Sequence, residues 1–270
     1  MTGMTARGRK PPVGEPVLER AVRLLGAFDA SGRGLQLAAL ARRSGLAPST
    51  ALRLARQLTG LGLLERSGDG TFTIGIRMLE LASRAPRGHG IRSIALPYME
   101  ELHRATGHHV LLGVRDGDEA VLVERLSPAG TTDDAYPVGG RMPLAGTGVG
   151  LALLAFAPED FRTAYTRIER QYDPERVPVT PAVLRRHIAR IRADGVATIT
   201  RPSGPAYASV AAPVFGHRLE PAAAISVVGP PRVLAPSNVR AAVVAIAGTI
   251  SRQLRSNGHG YAGIPMRDGQ

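Results

Sequence analysis

Ala41, Gly45 and Ala51 stand in the spacing A-x3-G-x5-A, and no other feature restricts the fold of this chain so strongly. The surrounding stretch, LAALARRSGLAPSTALRLARQL over residues 37–58, reads as two short helices joined by a tight turn. Gly45 suits the left-handed stop of the first, and Pro48 suits the opening turn of the second. In the second helix Ala51, Leu54, Ala55, Leu58 and Leu61 face inward, while Ser49, Arg53 and Arg56 follow at i, i+4 and i+7 on the opposite side. Leu63–Arg66 and Thr71–Ile74 then flank Ser67-Gly68-Asp69-Gly70, a hairpin turn signal. A helix-turn-helix followed by a two-stranded wing delivers a helix N-terminus and one polar stripe to a DNA major groove.

Charge agrees with that reading. The formal net charge is +12, which favours an anionic partner such as nucleic acid. Lys10 is the sole lysine, so the basic character is carried by arginine. The first 75 residues hold eleven Arg and Lys against five acids, a higher density than in the remaining 195. Trp is absent and aromatics make up 4%, which argues against base-stacking recognition of single strands.

Several chemistries are excluded. Without cysteine there is no disulfide, thiolate metal site or thiol nucleophile. His108 and His109 are neighbours on a predicted strand and point to opposite faces. No H-E-x-x-H, G-x-S-x-G or paired-carboxylate signature occurs, so no catalytic residue is assigned. No strand-linked G-x-G-x-x-G or P-loop lysine occurs, so no nucleotide or other cofactor is expected. No apolar run approaches the ~18 residues of a membrane span, and TARGRKPP near the N-terminus lacks the apolar core of a secretory signal. A cytoplasmic protein is the expectation.

The organisation predicted along the chain begins with a disordered basic arm over 1–15. A winged helix-turn-helix domain over 16–75 follows, built on helices near 16–30, 38–44 and 48–61. Ala38 stands where a capping Ser or Thr would start the second of these. A linker over 76–90 ends in Pro86-Arg87-Gly88-His89-Gly90. The larger domain covers 91–255 and opens with a helix over 91–106 that Pro97 should kink or restart. Hairpin strands at 110–115 and 120–125 lead to a glycine-rich loop over 139–150 and an apolar helix over 149–156. Helices near 158–171 and 180–193, strands near 195–200, 207–214 and 222–228, and a helix near 236–255 complete it. The tail over 256–270 reads as disordered. The fold class is α+β, with an antiparallel sheet in the C-terminal domain.

In these motifs the chain resembles the IclR family of bacterial transcriptional regulators. The likeness covers roughly 16–255 and rests on the helix-turn-helix, VGGRMPLAGTGVGLALLA over 138–155, AAPV over 211–214 and AISVVGP over 224–230. The resemblance implies a GAF-like effector-binding domain holding a small ligand, often an organic acid. It also implies a homodimer or dimer of dimers on partly palindromic double-stranded operator DNA, commonly repressing, and in some members activating, a catabolic or metabolic operon. The chain departs from the family at Ala145, Leu151 and Ile199, where His, Lys and an acid are common. It departs again at Ser209, where Cys is frequent, and at Val228, where a pocket Ser is frequent. Ser226 is retained.

The candidate DNA contacts are the first-turn N–H and hydroxyl groups of Ser49 and Thr50, Arg53 on guanine O6/N7, and Arg56 and Arg43 on phosphate. Arg66 and the wing turn would meet the adjacent backbone or minor groove. The candidate effector contacts are Met142, Leu144, Gly146, Thr147, Tyr207, Ser209 and Ser226, with the N–H groups of the glycine-rich loop cradling a carboxylate. A C-terminal domain that only oligomerises is the alternative.

Overall fold

The computed structural model describes residues 15–29, 32–131, 136–167, 180–201, 207–217, 220–234 and 237–256. Of the arm expected over 1–15 and the tail expected over 256–270, residues 1–14 and 257–270 lie outside the described residues. The chain divides into two compact units, one ending at Ala82 and the other beginning at Ser83.

In the first unit α1 (Val17–Leu25), α2 (Leu37–Ser44) and α3 (Pro48–Gly60) precede β1 (Leu64–Arg66), β2 (Phe72–Ile74) and α4 (Arg77–Ala82). The α1 helix stops five residues short of the expected end. Gly26 turns the chain, and Ala27 enters the core from outside the helix. The cap of α2 is Gln36 rather than Ala38, with no side-chain cap bond. Gly45 adopts φ 65°, and Leu46 N–H reaches back to the Ala41 carbonyl. Leu24, Leu40, Ala51, Leu54, Ala55, Leu64 and Phe72 form one buried cluster.

The second unit opens with a π-helical turn over Pro86–Gly90 that runs into α5 (Ile91–Thr106). Pro97 neither breaks nor restarts α5. Ile91, Ala95, Met99 and Leu102 pin the helix to the sheet, and Ser93, whose carbonyl would bond the N–H that Pro97 lacks, is exposed. Next come β3 (His109–Asp116), β4 (Glu119–Leu126), β5 (Arg141–Pro143), α6 (Gly148–Ala155), α7 (Glu159–Tyr165) and α8 (Pro181–Asp194). The last elements among the described residues are β6 (Ala197–Arg201), β7 (Tyr207–Phe215), β8 (Pro221–Gly229), α9 (Pro231–Leu234) and α10 (Ser237–Ser256).

The six strands form one antiparallel sheet in the order β5-β4-β3-β8-β7-β6. Alternation assigns its faces. Val110, Leu112, Val210, Ala212, Ile225 and Val227 meet α5 and α10. Leu122, Ala197, Ala211 and Ala224 meet α6 and α8. Helix α6 is buried along its whole length, which explains why its sequence shows no polar face. Among the described residues no helix is long and apolar enough to cross a membrane.

Candidate nucleic-acid interface and ligand pocket

Helix α3 starts with Pro48 at N1, so its first-turn N–H groups, near Ser49 and Thr50, have no intrahelical acceptor. Ser49, Arg53 and Arg56 are exposed and Thr50 is half-buried, all off the face that carries Ala51, Leu54 and Ala55 into the core. Arg53 Nη1 lies 3.4 Å from Gln57 Oε1. Gln57 therefore joins the stripe one turn on. Sequence reading passed it over, although its spacing from Arg53 was the available signal.

Arg43 is engaged differently. Its guanidinium donates to Asp29 Oδ2 at 2.8 Å and to the Ala27 carbonyl at 3.3 Å. It thereby ties the end of α2 to the segment after α1, a structural use that the phosphate assignment did not foresee. Arg66 is exposed and lies over the Phe72 ring at 5.3 Å.

The wing turn is built around Asp69. Its carboxylate accepts from the Ser67 hydroxyl, from Thr71 N at 3.1 Å and from Thr71 Oγ1 at 2.9 Å. Gln36 Nε2 braces the turn by donating to Thr71 Oγ1 at 2.8 Å. No residue pattern announced Gln36, because the contact spans the domain. The hydrogen bond from Ser67, followed by those from Thr71, holds the Asp69 carboxyl below its usual 3.8. A carboxyl depressed on folding stabilises the turn above the unfolded value, and that contribution is lost as pH falls through the folded value. The Asp69 carboxyl carbon followed by NMR should therefore titrate below 3.8. A midpoint at or above it would mean that these hydrogen bonds do not hold in solution.

The second site lies on the sheet face under α6. Register sets Arg125, Leu111, Ser226 and Ala211 in one row across four strands. The next row holds His109, Val228, Ser209 and Ile199. Ser226 is fully buried, and its Oγ has no hydrogen-bond partner among the described residues. Met142 and Leu144 are fully buried in the cluster on this face of the sheet, and Ser209 is 3% exposed. Thr147 caps α6, accepting from Gly150 N at 3.0 Å and donating to the Pro143 carbonyl at 3.1 Å. Tyr207, Gly146 and Thr147 are half-buried, as are Leu111, Arg125 and Tyr136 of the same region, which sequence reading omitted.

Four of the five glycine N–H groups expected to cradle a carboxylate are engaged within the protein. Gly139 N donates to Leu122 O, Gly140 N to Pro137 O, Gly146 N to Pro143 O and Gly150 N to Thr147 Oγ1. These N–H groups hold the loop together. Gly148 serves close packing, since a Cβ there would collide with Ser209 Oγ. The departures at Ala145 and Leu151 fit their surroundings, because both are buried among apolar side chains.

Comparison with known proteins covers both units. The family described as the IclR helix-turn-helix domain matches residues 17–68, and that described as the bacterial transcriptional regulator IclR C-terminal matches 84–255. The HTH-type transcriptional regulator BhcR of Paracoccus denitrificans is 31% identical over 225 residues, 83% of this chain and 80% of that protein. The transcriptional repressor IclR of Escherichia coli is 27% identical over 243 residues, 83% of this chain and 86% of that protein. Among solved structures, an IclR homolog from Microbacterium hydrocarbonoxydans complexed with 4-hydroxybenzoate superimposes with a TM-score of 0.78 at 29% identity. It covers 89% of this chain and 100% of that one.

Proposed function

The chain belongs to the IclR family of bacterial transcriptional regulators, and from that premise we propose that it is an effector-controlled repressor of a catabolic operon. Its helix-turn-helix binds operator DNA through Ser49, Thr50, Arg53, Arg56 and Arg66. A small carboxylate-bearing molecule enters under α6, between Thr147, Tyr207, Ser209 and Ser226. The 4-hydroxybenzoate held by the Microbacterium homolog makes aromatic acids the first class to try.

The single observation that carries the effector half is the orphan hydroxyl of Ser226. A buried polar group without a partner costs about 1–3 kcal/mol, and a ligand hydrogen bond would offset that cost. A dimer is supported by Leu18 and Val22 on α1 and by Leu79 and Leu81 on α4. These apolar side chains are 50–78% exposed, and burial of such groups drives association. The filled interior around Met142, Leu144 and Gly148 favours a second reading, in which the C-terminal domain only oligomerises.

Footprinting on DNA upstream of the chain's own gene separates the two. The expected result is a protected site of two half-sites about 34–36 Å apart, released by one acid of a panel led by 4-hydroxybenzoate. In Ser226→Ala the free protein should gain roughly 1 kcal/mol, while the releasing acid loses about three- to tenfold in potency. A Ser226→Ala protein that is destabilised, and whose DNA binding ignores the whole panel as the wild type does, would favour the oligomerisation reading.

A further inference from the structure

The π-helical turn over Pro86–Gly90 is joined to the segment that carries Met142, Leu144 and Thr147 by three consecutive links, two of them side chains and one the strand β3. A π turn is a rare form, often found at functional sites, in which N–H groups bond i−5 rather than i−4. The first link is Arg87, whose guanidinium donates to the main-chain carbonyl of Arg115 on β3. The second is β3 itself. The Arg115 side chain is 2% exposed, stacks 4.2 Å from the Phe161 ring centroid and donates to the Gly117 carbonyl at 3.1 Å. Glu220 stands 3.8 Å away. The third is Arg141, the first residue of β5, which bonds Asp116 at 2.7 Å and Glu119 at 3.1 Å. Immediately downstream, Pro143 O accepts from Thr147, the cap of α6.

We infer that Arg87 and Arg141 are positioning residues of one brace, through which the loop over 141–147 sets the geometry of the 86–90 turn. The inference rests on the effector reading for its use, because a ligand seated against Thr147 and Ser226 would displace this loop first. Arg115 is buried and held on several sides, so the end of β3 is a stiff anchor rather than a flexible relay. The turn is the deformable part. It contains Gly88 and Gly90 and can shift its N–H partners from i−5 to i−4. That shift would redirect the segment leading back to α4. Arg92 fixes the downstream side by pairing with Glu124 on β4, so α5 stays seated while the turn rearranges. Asp116, ahead of Glu119, holds the Arg141 guanidinium above its usual pKa, so the link persists across the neutral range.

The brace is tested without a ligand, on the full chain, by amide hydrogen exchange read by mass spectrometry. Arg141→Gln should speed exchange over 84–92 by about five- to tenfold, the scale of one lost charge-assisted hydrogen bond. Arg87→Gln should speed exchange over 141–147 in return. The double variant should exceed the larger single by less than about twofold, as coupled sites do, and Arg141→Lys should restore most of the protection. Arg141→Gln with unchanged exchange at 84–92 and an unchanged melting temperature would overturn the brace, as would effects that simply multiply in the double variant. A panel of acids that fails to release DNA would refute the effector reading alone, leaving the exchange result to stand on its own.

Discussion

Arg53→Ala is expected to lower affinity for the specific operator by between about fivefold and a hundredfold, the ~1–3 kcal/mol of one bidentate guanine contact. Non-specific affinity should fall far less. The reason is position. Arg53 is exposed on α3 one turn after the helix start, opposite the buried Ala51, Leu54 and Ala55. Gln57 Oε1, at 3.4 Å, helps to orient the guanidinium. Arg56 points off the same helix but three residues on, and a phosphate contact there adds affinity without sequence information. Arg56→Ala should weaken specific and non-specific binding alike and reduce the slope of log K against log salt by about 0.9, one phosphate. Gel shifts over a salt series, on operator and on scrambled DNA, read both quantities. Equal losses on the two DNAs for Arg53→Ala would place the reading residue elsewhere on α3, with Gln57 the next position to test.

Where local chemistry decided the structure, the sequence was enough to see it. Gly45 announced a left-handed turn and adopts φ 65°. Gly117 and Asp118 separate the β3 and β4 strands, between the hairpin strands expected at 110–115 and 120–125. Where distant packing decided it, the sequence was silent or misleading. The three-residue β5 carries no alternation to detect and exists because β4 offers it a free edge. Pro97 is a strong local stop signal costing about 3 kcal/mol in a helix interior. Four buried anchors on α5 outweigh it.

The sites divide in the same way. The polar stripe on α3 follows from helical period alone and is legible. Arg43 has the same composition signature as Arg53 and Arg56, and only the fold reveals Asp29 beside it. In the loop over 139–150, glycine frequency suggested open N–H groups. The hydrogen bonds show the N–H groups of Gly139, Gly140, Gly146 and Gly150 already used, and Gly148 serves close approach. That the Ser226 hydroxyl lacks a partner among the described residues is a fact of three-dimensional packing that no pattern of residues could express.

The same substitution should have opposite signs in two helices of the C-terminal unit. Alanine is the better helix former by about 1 kcal/mol, and neither Gly150 in α6 nor Gly248 in α10 has a positive φ. In α10 the new methyl group meets only Arg252 Nη1 at 3.6 Å, an ordinary contact with the end of a mobile side chain. Gly248→Ala should therefore stabilise the protein by roughly 0.5–1 kcal/mol. In α6 the methyl group would stand 2.5 Å from the Leu144 carbonyl oxygen and 2.6 Å from both Leu144 Cα and Pro143 O. These are backbone atoms of the loop that Thr147 and the cap bond hold in place. The helix cannot retreat, because Gly148 already rests against Ser209 on the opposite side. Overpacking of this kind costs about 1–3 kcal/mol or more, enough to exceed the propensity gain. The top of that range less the propensity gain leaves about 2 kcal/mol, so Gly150→Ala should lower the melting temperature of this unit by about 4–8 °C, at roughly 2–4 °C per kcal/mol. It should also disturb Thr147 and Leu144, and so weaken any effector response in proportion. Differential scanning calorimetry of the two variants against wild type gives the answer directly. Two alanines that both stabilise would mean that α6 and the 141–147 loop have slack, and the close seating of α6 on the sheet would have to be abandoned.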